Sequence, residues 1–251
     1  MSGGYKVREN SRSGSVKAAD IEQYDSGFFL DHTARQGYAT LAHLLFRLFK
    51  PTSAVDFGCG IGETLFHLRR RGVVVFGIDG SPASAEFARI PMNIVDLTKR
   101  ITLESKFDLA ISTEVGEHLP ESAADAFVGS IAGHGVDVFF TAAQPGQGGR
   151  GHINCQPKGY WEEKFAAQGM ERARIAEASI RLGMLPMRWG GIPWISRNLQ
   201  VFTRSPGRLN ARGLWLGMFF AAESVYWRAR ASRLGGGVYW VPGGETSPLG
   251  R

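Results

Sequence analysis

Cysteine is scarce. The chain has two in 251 residues, Cys59 and Cys155. Two cysteines build no disulfide framework, and no CxxC pair offers a metal-ligand spacing. The expectation is a reducing, cytoplasmic setting and no bound metal. No apolar run approaches the roughly 18 residues needed to span a bilayer. The first twenty residues, MSGGYKVRENSRSGSVKAAD, lack an apolar stretch. They predict a disordered basic arm over residues 1–20 and not a secretory signal. No internal repeat is visible. Concentrated positive charge is lacking too: the net charge is +6, but the basic residues are spread along the chain. The local run Arg69, Arg70 and Arg71 closes a predicted helix, where cations suit the helix dipole. That distribution argues against nucleic acid as the main partner.

What is present describes an ordinary globular chain. Hydrophobic residues make up 43% and charged residues 21%, and the length fits one large domain, or one with an appendage. Leu41, Leu44, Leu45, Leu48 and Phe49 recur at helical spacing, and Pro51 stops the run. Strand and helix signals then alternate. Strands are expected at Ala54–Phe57, Val73–Ile78, Met92–Val95, Phe107–Ser112 and Val136–Ala142. Helices are expected from the glycine loop to Arg71, over Ala83–Ile90 and near Ser122–Ala132. Near-continuous apolar strands separated by helices predict an α/β, doubly wound parallel sheet covered on both faces. Further on, helices are expected at Tyr160–Gln168 and Ile175–Leu182, and a late strand at Asn198–Thr203. The composition shifts after Ser205, which divides the chain into residues 1–20, 21–205 and 206–251. In the last part Trp215, Phe219, Ala222 and Tyr226 share one helical stripe. It is expected to cover the domain or form a dimer contact, with a membrane-surface helix as the alternative.

The stretch SAVDFGCGIGETLFHL joins the first strand to a helix. In a parallel α/β sheet such a loop lies at the ligand edge. It is not a Walker loop, which needs GK[ST]. Nor is it the dinucleotide fingerprint, whose third glycine position holds Glu63, a poor neighbour for a pyrophosphate. The pattern is instead Asp56, Gly58, Gly60, Gly62. An acid entering the loop suits a ligand carrying an ammonium group. Asp79 ends the second strand, where a carboxylate can accept both hydroxyls of a ribose. Asp96 ends the third, where it can accept from an adenine amino group while Leu97 packs the ring. Each acid alone could be a strand-end or helix-cap residue. Three acids at three successive strand ends, plus the glycine loop, favour a cationic nucleoside ligand over NAD.

With "VDFGCGIG", "FGIDGS", "NIVDLT" and "FDLAISTEVGEHLP", the chain resembles the class I S-adenosylmethionine-dependent methyltransferases over about Tyr24 to Arg204. "YDSGFF" and "GRGHINCQPKGYW" look like a bacterial branch of that family met in small-molecule and glycan pathways. The resemblance implies a mostly parallel, seven-stranded Rossmann-like sheet with an N-terminal lid helix and a C-terminal helical appendage. It implies S-adenosylmethionine as cofactor. Asp56, Gly58 and Gly60 would hold the methionine part, with Phe57 and Cys59 in the same loop. Asp79, with Gly80 beside it, would hold the ribose, and Asp96 and Leu97 the adenine. Glu114 would border the methionine end.

Acceptor chemistry is less legible. The [DN]PP[YF] motif of amino-methylating nucleic-acid and glutamine enzymes is absent; that place holds Glu114, Val115, Gly116, Glu117 and His118. Cytosine C5 chemistry needs a nucleophilic cysteine, and Cys155 is expected as a small buried filler. His118 and His152 are the expected catalytic residues, since a histidine titrates near working pH and can take a hydroxyl proton. The bland readings are a capping histidine at 118 and a loop bonding its own backbone around 152. Asn154 and Gln156 alternate with His152 and would share a face that orients the acceptor. Tyr24 and Phe28, with Phe29, are expected to contact substrate as a lid, or simply to pack. Glu117 is expected to be exposed or a cap. The reading is O-methylation of a small molecule or sugar-like hydroxyl. N-methylation of a small amine or heterocycle, action on nucleic acid, and cofactor binding without catalysis remain open.

Overall fold

The structure is a computed structural model and describes residues 7–9, 37–184 and 193–233, with side chains for 37–184 and 193–220. Tyr24, Phe28 and Phe29 lie outside the described residues, as do most of the arm and the final segment.

The first helix, α1 (Gly37–Phe49), buries Leu41, Leu44, Leu45 and Leu48 completely, as its spacing predicts. Strand β2 (Ser53–Phe57) follows Pro51, and helix α2 (Glu63–Arg69) opens after Gly62, whose φ of 82° closes the glycine loop. Then come β3 (Val74–Asp79), the short α3 (Pro82–Glu86) and β4 (Met92–Ile94). After β5 (Ile101–Leu103) and β6 (Phe107–Thr113), two 3₁₀ turns lead into α4 (Ala124–His134) and β7 (Gly135–Thr141). The rest is α5 (Lys158–Ala167), β8 (Glu171–Arg172), α6 (Arg174–Met184), α7 (Pro193–Asn198), β9 (Gln200–Thr203) and α8 (Pro206–Arg233). Helix α3 ends four residues earlier than its apolar pattern suggests. Beyond it Ile90 turns inward against the glycine loop.

The seven-stranded sheet has the order β4-β3-β2-β6-β7-β9-β8. Strands β4, β3, β2, β6 and β7 are parallel, and β9 and β8 close the edge antiparallel. This is the expected doubly wound, mostly parallel architecture. Alternate residues of each buried strand feed two cores. Ala54, Leu109, Ile111, Phe139 and Val201 face the core shared with α1, α2, α6 and α8. Val55, Ala110, Val138, Phe140 and Phe202 face the core under α4 and α5.

Two expectations change. Residues 7–9, read as disordered arm, form β1 (Val7–Glu9), an antiparallel partner of β5 in a separate two-stranded sheet. The buried Ile101 and Leu103 amides donate to Ser130 Oγ and His134 Nε2 of α4, so β5 stays outside the main sheet with β1 as its strand partner. The second change concerns α8. It covers the domain, but not through the stripe of Trp215 and Phe219, which are 74% and 40% exposed. The buried face is Leu209, Leu216 and Phe220. A Cβ on Gly213 would lie 2.8 Å from Ala176 Cα, so α6 and α8 cross backbone to backbone. Ser179 Oγ donates to the Gly213 carbonyl across that crossing. The choice of face follows from the small residues, which permit close approach where Trp215 would not. Ala222 and Tyr226 lie outside the residues whose side chains are described.

Candidate active site

The glycine loop hangs between β2 and β3. The Gly58 and Cys59 amides both donate to the Ile78 carbonyl, at 2.7 and 3.0 Å. Gly58 (φ 84°) and Gly60 (φ 53°) are left-handed. At Gly58 glycine is also sterically required, because a Cβ would collide with Val115. The loop's two acids differ in satisfaction. Asp79 Oδ2 accepts from the Gly60 amide at 2.7 Å and Oδ1 from the Ser81 amide at 2.8 Å. Asp56 is 3% exposed, and its Oδ1 is buried without a hydrogen-bond partner. Burial, followed by the charge of nearby Asp79, pushes Asp56 up to about 7. A buried acid with an orphaned oxygen at a ligand edge is the feature a cationic ligand would satisfy.

The other expected cofactor residues fall around this pair. Phe57 is fully buried in the core, so only its backbone faces the loop. Cys59 packs over Gly77, where a Cβ would sit 2.7 Å from its Sγ. Burial raises its pKa, so it remains a thiol. Asp96 Oδ1 accepts from the Thr98 amide and hydroxyl, at 2.9 and 2.6 Å. Leu97 is nearly buried and faces Gly80 across the ends of β3 and β4. Glu63 starts α2 and pairs with Arg89 at 2.9 Å.

A second cluster gathers at the ends of β6 and β7. Glu114 takes a positive φ of 54°, and Asn198 Nδ2 donates to its two carboxylate oxygens at 3.0 and 3.1 Å. The 3₁₀ turn Gly116–His118 follows. The turn brings Glu117 beside Glu114, whose charge it feels. Glu117 is fully buried, correcting the expectation of an exposed or capping residue. Its Oε1 accepts from the Ala143 amide at 3.0 Å, while Oε2 has no hydrogen-bond partner. Burial, then the neighbouring Glu114 charge, raises its pKa to about 8. The E-x-x-E spacing was the available signal. Asn198 and Gln144, whose Nε2 bonds Asn198 Oδ1 at 3.2 Å, carried none.

His118 and His152 meet edge to face, ring centroids 4.8 Å apart. His118 Nδ1 lies 3.1 Å from the Gly151 carbonyl oxygen, and His152 Nδ1 lies 3.2 Å from that of Gln147. Burial lowers His118 to about 4. Each histidine therefore bonds loop backbone and also belongs to the cluster. The Ile153 and Asn154 amides donate to the Glu117 carbonyl, pinning the loop to the turn. Asn154 is buried, its amide reaching the Gly116 carbonyl at 3.4 Å, and Gln156 donates to Asn154 Oδ1 at 2.9 Å. The pair is adjacent as expected, but Asn154 serves the loop. Cys155 is only partly buried, 3.6 Å from His152 Nδ1.

A family model described as a methyltransferase domain matches residues 30–140. A probable chloroplastic tocopherol O-methyltransferase of rice (Oryza sativa subsp. japonica) is 33% identical over 95 residues, 33% of this chain and 26% of that protein. The match thus spans about a quarter of that relative's length. Two solved structures share the fold. The sugar N-methyltransferase KedS8 of a Streptoalloteichus species aligns at a TM-score of 0.53 and 18% identity, covering 81% of this chain and 98% of that one. Streptomyces venezuelae DesVI aligns at 0.50 and 17%, covering 76% and 99%.

Proposed function

We propose that this chain, whose residues 30–140 match a methyltransferase-domain family model, is a class I S-adenosylmethionine-dependent methyltransferase that methylates a hydroxyl of a small-molecule or sugar-like acceptor. The observation that carries the reading is the pairing of two sites at one sheet edge. Acids end β2 and β3, a third follows β4, and a polar cluster with two histidines lies beyond β6 and β7. S-adenosylmethionine supplies, when bound, a methyl group on a sulfonium centre. In this proposal Asp56 and the Gly58 and Gly60 backbone hold its amino-acid end. Asp79 takes the ribose hydroxyls on its remaining lone pairs, and Asp96 and Leu97 border the adenine. Asn198 fixes Glu114 near the methyl end.

On the acceptor side, the Glu117, His118 and His152 cluster handles the hydroxyl proton. Burial leaves His118 a weak base, which favours His152 as proton acceptor, with Gln156 orienting the acceptor. Transfer to oxygen without such a group would be slow, because a neutral hydroxyl is a poor nucleophile. The rice relative is named for an O-methyltransferase. A second reading, N-methylation of a small amine, is favoured by the two neighbouring acids Glu114 and Glu117 beyond β6, and KedS8 is named for a sugar N-methyltransferase. A cytoplasmic location belongs to the proposal as well. No helix among the described residues is long and apolar enough to cross a membrane.

The test is incubation with methyl-labelled S-adenosylmethionine and a metabolite extract, read by mass spectrometry. A labelled product whose fragments carry the methyl on oxygen supports the reading. Label on nitrogen supports the amine alternative. Cofactor binding with no labelled product from extracts or sugar and amine panels would overturn both.

A further inference from the structure

We propose that Glu117, His118 and His152 form a binding site for a divalent first-row transition ion of the zinc class, open toward the acceptor. One ring nitrogen of each histidine and a carboxylate oxygen of Glu117 lie within 4.8 Å of one another. Metal–ligand distances of about 2.0–2.2 Å place ligand atoms on one ion at most about 4 Å apart. Small side-chain rotations therefore close the set.

Three features go beyond proximity. First, the Gly151 and Gln147 carbonyls can only accept, so each imidazole carries its hydrogen on Nδ1 and presents its lone pair at Nε2. Backbone-anchored Nδ1–H groups are the usual support of metal-ligating histidines, because they fix tautomer and ring orientation. Second, Glu117 Oε1 is held by the Ala143 amide, while buried Oε2 has no N–H or O–H donor from any other residue and only the neighbouring Glu114 carboxyl beside it. A cation would satisfy that orphaned oxygen. Third, the ligands sit on a braced frame: the Ile153 and Asn154 amides tie the His152 loop to the Glu117 carbonyl. Two imidazoles and a carboxylate suit zinc-like ions, and three protein ligands leave positions for an outside oxygen.

The consequence rests on the methyltransferase reading, although occupancy does not. An acceptor hydroxyl on an open position becomes more acidic and loses its proton to water. With the ion bound, deprotonation would fall to water beside it rather than to His152, the acceptor in the metal-free reading above.

The full-length protein, stripped with chelator, is titrated with Co²⁺ and with Zn²⁺, by visible absorption and calorimetry. The expected result is one equivalent bound, a Co²⁺ ligand-field spectrum and competition by Zn²⁺. His152→Ala and Glu117→Gln should each weaken binding at least about tenfold, while His43→Ala and His67→Ala leave it unchanged. Circular dichroism and S-adenosylmethionine binding of the variants separate ligand loss from unfolding. Should His152→Ala misfold, His152→Gln serves in its place. Protein that binds the cofactor but no Co²⁺, or Co²⁺ binding indifferent to both variants, overturns the site. Protein that binds Co²⁺ but no S-adenosylmethionine keeps the site and sinks the functional reading.

Discussion

Asp79 accepts a hydrogen bond from the Gly60 amide at 2.7 Å, joining the end of β3 to the loop after β2. The same carboxylate takes the Ser81 amide at 2.8 Å. It therefore shapes the glycine loop, and in the proposed site its remaining lone pairs would take the ribose hydroxyls. Asp79→Ala should lose charge-assisted bonds worth about 1.5–3 kcal/mol, roughly a 10- to 150-fold loss of S-adenosylmethionine affinity. Asp79→Asn keeps one acceptor and should lose less. Calorimetry showing both variants within about threefold of wild type would remove Asp79 from the site.

Gly58→Ala should damage the loop more than its size suggests. The residue sits at φ 84°, and a Cβ there meets Val115. Gly146 has a similar φ of 80° but open space around it. Gly146→Ala should therefore cost only the left-handed penalty, about 1–2 kcal/mol. Gly58→Ala should exceed it and also weaken cofactor binding. Denaturation curves of the two variants make the comparison, and equal losses would refute the steric account.

The arrangement of the residues proposed for the cofactor was legible because short-range rules generate it. Apolar strands must be parallel and covered, their carboxyl ends must face one edge, and acids at those ends stand out against apolar runs. The acceptor half depends on contacts that no local rule supplies. Glu117 and Ala143 are 26 positions apart, Asn198 and Glu114 are 84 apart, and only the packing of α7 against the sheet edge joins the latter. Helix α8 misled for a different reason. Its aromatic stripe carries the larger apolar area, yet the face that packs is the one whose glycines let two backbones approach.

That assignment of faces predicts opposite responses from adjacent residues. Leu216 is 5% exposed in the core with α1 and α6, and Trp215 is 74% exposed. Leu216→Ala should cost about 2–5 kcal/mol, whereas Trp215→Ala should stay within about 0.5 kcal/mol. A chain cut after Arg204 loses Leu209, Leu216 and Phe220 from that core and should be poorly soluble. Chemical denaturation decides the pair. A large loss at Trp215 with none at Leu216 would mean that the helix packs by its aromatic face after all.

Asp56 should couple folding and cofactor binding to pH in opposite directions. Its pKa stands at about 7 in the fold against 3.8 ordinarily, because burial and Asp79 disfavour its charge. Between those values the folded protein holds a proton that the unfolded chain releases. The contribution of Asp56 to stability without cofactor should therefore fall as pH rises from about 4 to about 7, and Glu117, raised to about 8, should extend the fall beyond that. A cationic amino-acid end bound beside Asp56 reverses the preference by stabilising the carboxylate. S-adenosylmethionine affinity should thus rise over the same interval, with a proton released on binding below pH 7 or so. In Asp56→Asn the affinity trend should flatten and the stability trend should become shallower, Glu117 and Asp79 keeping their share. The variant retains any titration belonging to the ligand, so the difference from wild type isolates this residue. Melting temperatures across the range give the first arm, and calorimetry in buffers of different ionisation enthalpy gives the second. Cofactor affinity that is flat with pH in the wild type, or unchanged in its pH dependence by Asp56→Asn, would detach Asp56 from the ligand's charge.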